Sequence, residues 1–316
     1  MNPNSDGTSR CRRFFSSACL GVVLCVTAWP AMAQEDDPEF SRRGADQCIG
    51  CHDDEAILSI FRTPHGQLAD SRTPFANLQC ESCHGGGGKH AARLRRGQER
   101  PPITTFGSQE HTPIDEQNDI CAGCHTGDVG LGWHGSAHDN EDLACADCHQ
   151  AHAPADRALV RAEQAEVCFD CHQTVRAQSF KPFSHPLREG KMSCTGCHNP
   201  HESAADNLLA RSNVNQTCYG CHAEKRGPFL WEHAPATEDC TTCHDAHGSN
   251  HPAQLTRRPP LLCQQCHSQA GHPGRVFTDS GLADNNASAF LLGGSCLNCH
   301  SKVHGSNHPS GVRLMR

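Results

Sequence analysis

The feature that most constrains this chain is a five-residue motif, C-x-x-C-H, which occurs ten times in 316 residues. Two cysteines followed at once by a histidine are the signature of covalent c-type haem attachment. The thiols bond to the porphyrin and the histidine takes one axial position on the iron. The predicted attachment cysteines are Cys48, Cys51, Cys80, Cys83, Cys121, Cys124, Cys145, Cys148, Cys168, Cys171, Cys194, Cys197, Cys218, Cys221, Cys240, Cys243, Cys263, Cys266, Cys296 and Cys299.

Each motif ends in a histidine, so the ten motifs also supply ten predicted proximal ligands to iron. A full set of haems would therefore leave ten axial positions to be filled by other side chains. The predicted proximal ligands are His52, His84, His125, His149, His172, His198, His222, His244, His267 and His300.

The remaining histidines recur with the motifs, and this internal repeat divides the chain into five predicted diheme units. In each unit a lone histidine follows the first motif, 13 residues after the motif histidine in three units, 11 in the fourth and 5 in the fifth. Another histidine closely follows the second motif. The units span 48–90, 121–152, 168–201, 218–247 and 263–304. The predicted distal ligands are His65, His90, His138, His152, His185, His201, His233, His247, His272 and His304.

The unit at 121–152 carries four imidazoles for two irons, so we expect its own histidines to fill all the axial positions of its two haems. The constant gap of 13 residues favours His138 over His134 as its lone distal ligand. Between His149 and His152 the chain reaches only about 10 Å, at roughly 3.3–3.6 Å per residue. That is too short to pass from one face of a porphyrin to the other. We therefore predict that His152 ligates a different haem from the one attached beside it.

Four histidines are surplus to this count. His251 and His308 lie in two copies of H-G-S-N-H-P, and either the turn recurs with the repeat or each copy offers a choice of ligand. We expect His111 and His134 to be exposed or bonded to haem propionates. With full bis-histidine ligation no iron keeps an open position, so we predict an electron carrier without catalytic residues.

Composition supports a fold dictated by haem. Aromatic residues make up 5% of the chain, which is too few bulky side chains to close a conventional core of this size. We expect short α-helices and irregular loops wrapped around a linear chain of ten haems, with little or no β structure. Residues 34–316 would form a single elongated decahaem domain, with longer loops at 91–120 and 281–295.

The N-terminus has the features of a secretory signal peptide. Arginines precede an apolar run that ends in an A-x-A site, which predicts cleavage after residue 33; a retained membrane anchor is the alternative. Cleavage would remove the three cysteines outside the motifs and leave 24 basic and 34 acidic residues, a net charge of −10. Such acidity disfavours a nucleic-acid partner.

Two other uses of paired cysteines fit less well. Zinc ribbons use C-x-x-C pairs, but ten copies with an adjacent histidine on an exported chain are not typical of zinc sites. A disulfide scaffold would leave the histidine pattern unexplained. Only Met192 and Met315 remain in the mature chain, so histidine–methionine ligation would reach at most two haems.

The chain resembles the decahaem cytochromes of the MtrA/DmsE family. The resemblance lies in the motif count at this length, in W-x-G-S-A-H before C-A-D-C-H at 133–149, in K-R-G-P-F-L-W-E-H-A-P at 225–235 and in the two H-G-S-N-H-P copies. It covers essentially the whole mature chain. It implies ten covalently attached haem c groups with bis-histidine iron in a periplasmic protein associated with the outer membrane.

The resemblance also implies partners. It predicts a conduit that crosses the outer membrane inside a β-barrel protein, which insulates it from lipid. Electrons would pass between a periplasmic or inner-membrane cytochrome and an extracellular multihaem cytochrome, reductase or mineral. Two alternatives remain at this stage: a soluble periplasmic shuttle, and a multihaem reductase of nitrogen or sulfur oxyanions, which would need a five-coordinate haem.

Overall fold

The computed structural model describes residues 40–127, 129, 132–267 and 296–316. By internal contacts the chain divides into Met1–Asp37 and Pro38–Arg316, and all described residues belong to the second unit. The predicted signal peptide, the distal candidate His272 and the predicted loop at 281–295 lie outside the described residues.

Short helices and loops make up the described chain, as the sequence predicts. The longest helix has nine residues and leads into the third motif, with acidic side chains in its first turn that favour the positive end of the helix dipole. The α-helices are α1 Ala45–Cys48, α2 Glu55–Leu58, α3 Glu81–His84, α4 Ile114–Ala122, α5 Cys145–Cys148, α6 Gln164–Phe169, α7 Gln173–Ser179, α8 Val214–Tyr219 and α9 Ala234–Glu238.

Single turns of 3-10 helix connect these segments. Several of them contain a haem-attachment motif or follow a motif histidine. They span Ser59–Arg62, Pro64–Gly66, Pro74–Ala76, Asp139–Glu141, Cys194–Gly196, Asp206–Leu208, Ala223–Lys225, Cys240–Thr242, Pro252–Gln254, Cys263–Gln265 and Cys296–Asn298.

The described ranges contain no β-strand. Four isolated antiparallel bridges occur instead, and they follow the repeat of the sequence. His198 pairs with Leu209 and His244 pairs with Leu255, so the third and fourth units close the same turn behind their second motif. The other two bridges join Phe183 to Ser249 and Trp231 to Ser306.

The apolar core of the described chain is small. Its main cluster consists of Ala45, Ile60 and Phe75, and the Phe75 ring meets Phe61 edge to face at 5.3 Å. Elsewhere Trp133, Phe169 and Leu187 are buried, but many large apolar side chains are exposed, with Leu159 at 74%. This distribution agrees with a fold in which side chains pack mainly around a prosthetic group. Among the described residues, no helix combines the length and apolar character needed to cross a bilayer.

Candidate haem sites

Every attachment motif folds into the same turn. In all ten copies the backbone N–H of the histidine donates to the carbonyl of the first cysteine, at 2.8–3.0 Å. This bond closes one helical turn and brings residues i, i+3 and i+4 onto one face. Two thiols and one imidazole therefore share a face, which is the arrangement that attachment to one porphyrin requires.

Nine histidine pairs form between motif histidines and the predicted distal histidines in the described chain. Their ring centroids lie 5.9–6.4 Å apart. The pairs are His52–His90, His84–His152, His125–His65, His149–His201, His172–His138, His198–His247, His222–His185, His244–His304 and His267–His233.

This separation fits one metal ion between two imidazoles. A metal–nitrogen bond of ~2.0–2.1 Å on each side, plus about 1.2 Å from each nitrogen to its ring centre, gives roughly 6.4 Å between centroids. The residues present therefore fit bis-histidine haem. The tenth motif histidine, His300, is described, but the remaining predicted distal histidine, His272, lies outside the described residues. The assignment of all twenty histidines as axial ligands stays a prediction.

The pairs cross from unit to unit, which corrects one expectation. The unit at 121–152 does not pair its own histidines: His125 and His152 face the first unit, and His138 and His149 face the third. The expectation that a unit balances its own irons is therefore wrong. The sequence pattern supplies a count of candidate ligands, and the fold pairs those candidates between neighbouring units.

His152 lies beside His84 and not beside His149, as the reach of the intervening chain requires. The structure also pairs His138, rather than His134, with His172. Of the described pairs, only His52–His90 joins two histidines of one unit, and it stands at the start of the array.

Hydrogen bonds orient the imidazoles. In eight of them Nδ1 contacts a backbone carbonyl at 2.7–2.9 Å, so Nδ1–H donates and Nε2 is left to bind a metal. The loop at 91–120 provides two of these acceptors, Pro101 for His90 and Thr104 for His84. This function of the loop was not predicted from the sequence.

The lone distal histidines use one repeated contact. His138, His185 and His233 donate to Pro200, Ala246 and Val303 respectively. Each acceptor is the carbonyl just before the last distal histidine of the next unit. His65 has the corresponding contact with Ala151. One peptide therefore orients a distal ligand of one unit and presents a distal ligand of the next.

Burial lowers the pKa of several distal imidazoles, which favours the neutral form that ligation to iron requires. Burial lowers the pKa of His152, and the adjacent His84 lowers it further. The pKa of His65 is lowered in the same way by burial and then by His125. In both cases the neighbouring charge comes from the motif histidine of the same pair.

The attachment cysteines that influence one another belong to motifs that are consecutive in the sequence. Burial raises the pKa of Cys80 to about 11, with Cys48 adding to the rise. Burial also raises the pKa of Cys83, with further increases from Cys121 and Cys124 of the following unit. The same alternation of electrostatic influences on the thiol pKa, within and between units, continues along the chain through Cys121–Cys145, Cys148–Cys171, Cys168–Cys194, Cys197–Cys218, Cys218–Cys240, Cys243–Cys266 and Cys263–Cys296.

Buried amides fasten the two motifs of a unit together. The Asn118 side chain donates to the Leu143 carbonyl and accepts from Cys145 N–H at 2.8 Å. In the fourth unit, Asn215 accepts from Cys240 N–H, also at 2.8 Å. Both asparagines lie three residues before the first cysteine of their unit. That shared position is the signal by which the sequence could have revealed them.

The four surplus histidines lie outside the nine pairs. His111 and His134 are exposed, and His111 Nδ1 is 3.3 Å from the Thr105 hydroxyl. His308 Nδ1 meets the Ser310 hydroxyl at 2.9 Å. His251 donates its backbone N–H to Ser249 Oγ. These contacts favour the interpretation of H-G-S-N-H-P as a recurring turn.

Glycine and serine explain why this turn recurs. Gly248 has φ +143°, and a Cβ there would lie 2.2 Å from the Gln178 carbonyl oxygen. Gly305 has φ +137° in the second copy. Ser249 is 5% exposed and donates its hydroxyl to the Leu255 carbonyl. The glycines that follow His247 and His304 therefore adopt a backbone conformation that few other residues permit.

Comparisons with known proteins agree with this geometry. A family model described as a doubled CXXCH motif matches residues 134–177, 185–227 and 233–272. A model described as cytochrome c554 and c-prime matches residues 27–85. Each doubled-motif match spans the junction between two of the five units, the same junctions that the histidine pairs cross.

Two relatives are cytochromes by name. The high-molecular-weight cytochrome c of Nitratidesulfovibrio vulgaris is 24% identical over 64% of this chain and 36% of its own length. The multiheme cytochrome MtrA of Shewanella baltica is 49% identical over 95% of this chain and 93% of its own length. Together with the repeated motifs, this similarity shows that the chain binds haem c covalently and transfers electrons. The chain belongs to the family of multihaem c-type cytochromes that includes MtrA.

Proposed function

We propose that the mature chain carries ten haem c groups, each with two histidine ligands, and conducts electrons without transforming a substrate. Nine of the ligand pairs are those described above, and the count of histidines assigns His272 to His300 as the tenth. The observation that carries the proposal is the uniform spacing of the nine imidazole pairs. When bound, haem supplies a one-electron redox centre whose potential depends on its axial ligands and surroundings.

The order of the attachment sites supports conduction along the chain. The cysteines of each motif influence those of the motif before and the motif after, first within a unit and then between units. Each haem would therefore lie next to the haems attached immediately before and after it in the sequence. Two imidazoles per iron leave no axial position for a substrate, and this argues against a reductase of nitrogen or sulfur oxyanions. The role of the protein is then to hold the haems, orient their ligands and limit water access.

We further propose that the chain acts in the periplasm and crosses the outer membrane inside a β-barrel partner. A periplasmic or inner-membrane cytochrome would exchange electrons at one end, and an extracellular multihaem cytochrome, reductase or mineral at the other. The similarity to MtrA over 95% of the chain and the apparent export signal support this placement. A bare chain cannot satisfy its irregular backbone in lipid, so a surrounding protein is needed.

Haem content and spin state test the first part of the proposal. Mass spectrometry of the secreted protein should find ten haem additions on a chain cleaved after residue 33. Electron paramagnetic resonance of the fully oxidised protein should show only low-spin ferric haem. Markedly fewer than ten haems, or a stoichiometric high-spin signal, would contradict it.

Membrane association tests the second part. The tagged chain, expressed in its native host, should co-purify from detergent-solubilised outer membranes with a large β-barrel protein in a fixed ratio. Liposomes should then be prepared with this complex in the membrane and reduced methyl viologen inside. The internal methyl viologen should become oxidised when a ferric chelate is added outside. A chain recovered only as a monomer from the periplasmic fraction would favour a soluble shuttle.

A further inference from the structure

One axial candidate breaks the pattern of carbonyl acceptors. His149 Nδ1 lies 2.6 Å from the Asp156 carboxylate, whereas eight other axial imidazoles contact peptide carbonyls. His149 pairs with His201 and belongs to the motif of Cys145 and Cys148. His149 therefore differs from those eight imidazoles in the charge of the group that accepts its Nδ1 proton.

The difference arises where the second unit departs from the repeat. In the third and fourth units, the carbonyls of Asn207 and Ala253 accept from the motif histidine, and both residues have positive φ, 54° and 55°. A buried serine, Ser249, stabilises this turn in the fourth unit. In the second unit, Pro154 occupies the position of that serine, five residues after the motif histidine. The Asp156 side chain, instead of a backbone carbonyl, accepts from the motif histidine there.

The carboxylate is held in position. Asp156 Oδ2 accepts from His149 while Oδ1 accepts from Ala158 N–H at 3.1 Å. The Asp156 side chain is 16% exposed and the His149 side chain 36% exposed, so water screens the pair only in part. A fixed, partly shielded acceptor acts on its imidazole more strongly than a mobile surface carboxylate would.

We propose that Asp156 lowers the reduction potential of the haem attached at Cys145 and Cys148, relative to the value that a carbonyl acceptor would give. A carboxylate draws the Nδ1 proton and makes the imidazole a stronger electron donor to iron, which favours ferric over ferrous haem. Asp156 is then a positioning and tuning residue for one haem of the array. This inference rests on the proposed function, because it requires His149 to be an axial ligand.

A second carboxylate near an axial imidazole does not meet these conditions. Glu224 Oε1 lies 3.8 Å from His222 Nδ1, which is beyond hydrogen-bonding distance. Both side chains are more than half exposed, at 61% and 56%. Solvent therefore screens this contact, and we assign it no comparable effect.

The chain offers a control that has the same charge near the same haem. Asp147 lies inside the C-A-D-C-H motif, between the two attachment cysteines and two residues before His149. Asp147 accepts from the backbone N–H groups of Ser108 and Ala144. Asp147→Asn therefore removes a nearby negative charge without changing the acceptor of His149.

The test is a redox titration of the full haem-loaded protein, followed by electron paramagnetic resonance. In Asp156→Asn, one low-spin species should move to higher potential. Its ferric-to-ferrous ratio at a fixed potential should fall at least tenfold, which corresponds to about 59 mV for a one-electron couple. The shift in Asp147→Asn should be less than threefold in the same ratio. A superimposable titration for Asp156→Asn, or an equal shift in Asp147→Asn, would overturn the inference.

Haem count and spin state separate this inference from the proposed function. If all ten irons are low-spin and Asp156→Asn has no effect, only the tuning role fails. If the Asp156→Asn variant fails to bind this haem, the electron paramagnetic resonance spectrum of the wild-type protein tests the tuning role instead. A stronger donor increases the ligand field, so one low-spin species should then have smaller g anisotropy than the rest, and its absence would refute the tuning role.

Discussion

The imidazole of His138 lies 6.3 Å from that of His172, the motif histidine that opens the following unit. In the sequence, the two histidines are separated by the second motif of one unit and the start of the next unit. In the proposed arrangement, the iron between them would be held by two segments that lie 34 residues apart in the sequence. Ligation of the haems and packing of the units are therefore one process.

We predict that His138→Ala creates one five-coordinate haem. The haem attached at Cys168 and Cys171 would lose its distal ligand, so one high-spin ferric signal per molecule should appear in electron paramagnetic resonance. His134→Ala is the matched control, because His134 is exposed and outside the pairs. A high-spin signal in His134→Ala, with none in His138→Ala, would reverse the assignment.

We predict that His152→Ala affects the haem held by His84 and leaves its covalent neighbour at Cys145 and Cys148 six-coordinate. Double variants identify the affected haem. The high-spin signal of His152→Ala should vanish when Cys80 and Cys83 are replaced by alanine, because that haem is then absent.

The complementary variant tests the same point. The high-spin signal should persist when Cys145 and Cys148 are the cysteines replaced. The opposite result would mean that His152 and His149 share one iron, against the 6.2 Å approach of His152 to His84.

We predict that Asn118→Ala and Asn215→Ala each destabilise the haem-loaded protein by about 1–3 kcal/mol. Each change leaves a buried backbone N–H of an attachment cysteine without its acceptor. Chemical denaturation followed by circular dichroism measures the change in the free energy of unfolding. The exposed Asn140 offers a control, and Asn140→Ala should stay within about 0.5 kcal/mol. Equal effects at the buried and exposed sites would contradict the role of the buried amides.

We predict that His251→Ala and His308→Ala leave every haem low-spin, whereas Ser249→Ala lowers stability. The Ser249 hydroxyl is buried, and its loss leaves the Leu255 carbonyl without this donor, at a cost of about 1–2 kcal/mol. Electron paramagnetic resonance checks the spin state of the two histidine variants, and thermal unfolding checks the stability of Ser249→Ala. A high-spin signal in either histidine variant would support the alternative in which the H-G-S-N-H-P copies offer a choice of ligand.

The sequence predicts much of the site, because attachment is covalent and local. A motif such as C-A-D-C-H contains two attachment points and one ligand within five residues, so its chemistry can be read directly. The count of histidines and the constant gap to His138 were enough to choose among neighbours. The fold class followed from the same counts, since few aromatic residues remain to build a core.

What the sequence could not predict depends on contacts between units. Nothing in the spacing of His149 and His201 states that they face each other, because the pair is set by how two turns pack. The carboxylate of Asp156 likewise has no motif of its own. The shared position of Asn118 and Asn215 marks the two amides in the sequence, but their acceptance from Cys145 and Cys240 depends on how the two motifs of a unit pack.

The exchange of ligands between adjoining units bears on how such an array changes length. Each internal unit gives two imidazoles to its neighbours and receives two in return, so duplicating an internal unit would preserve the balance at every junction. A unit lost from either end would instead leave one distal ligand without its metal and one metal without its distal ligand. Growth by internal duplication, with the first and last units retained as closures, is the route that this architecture permits.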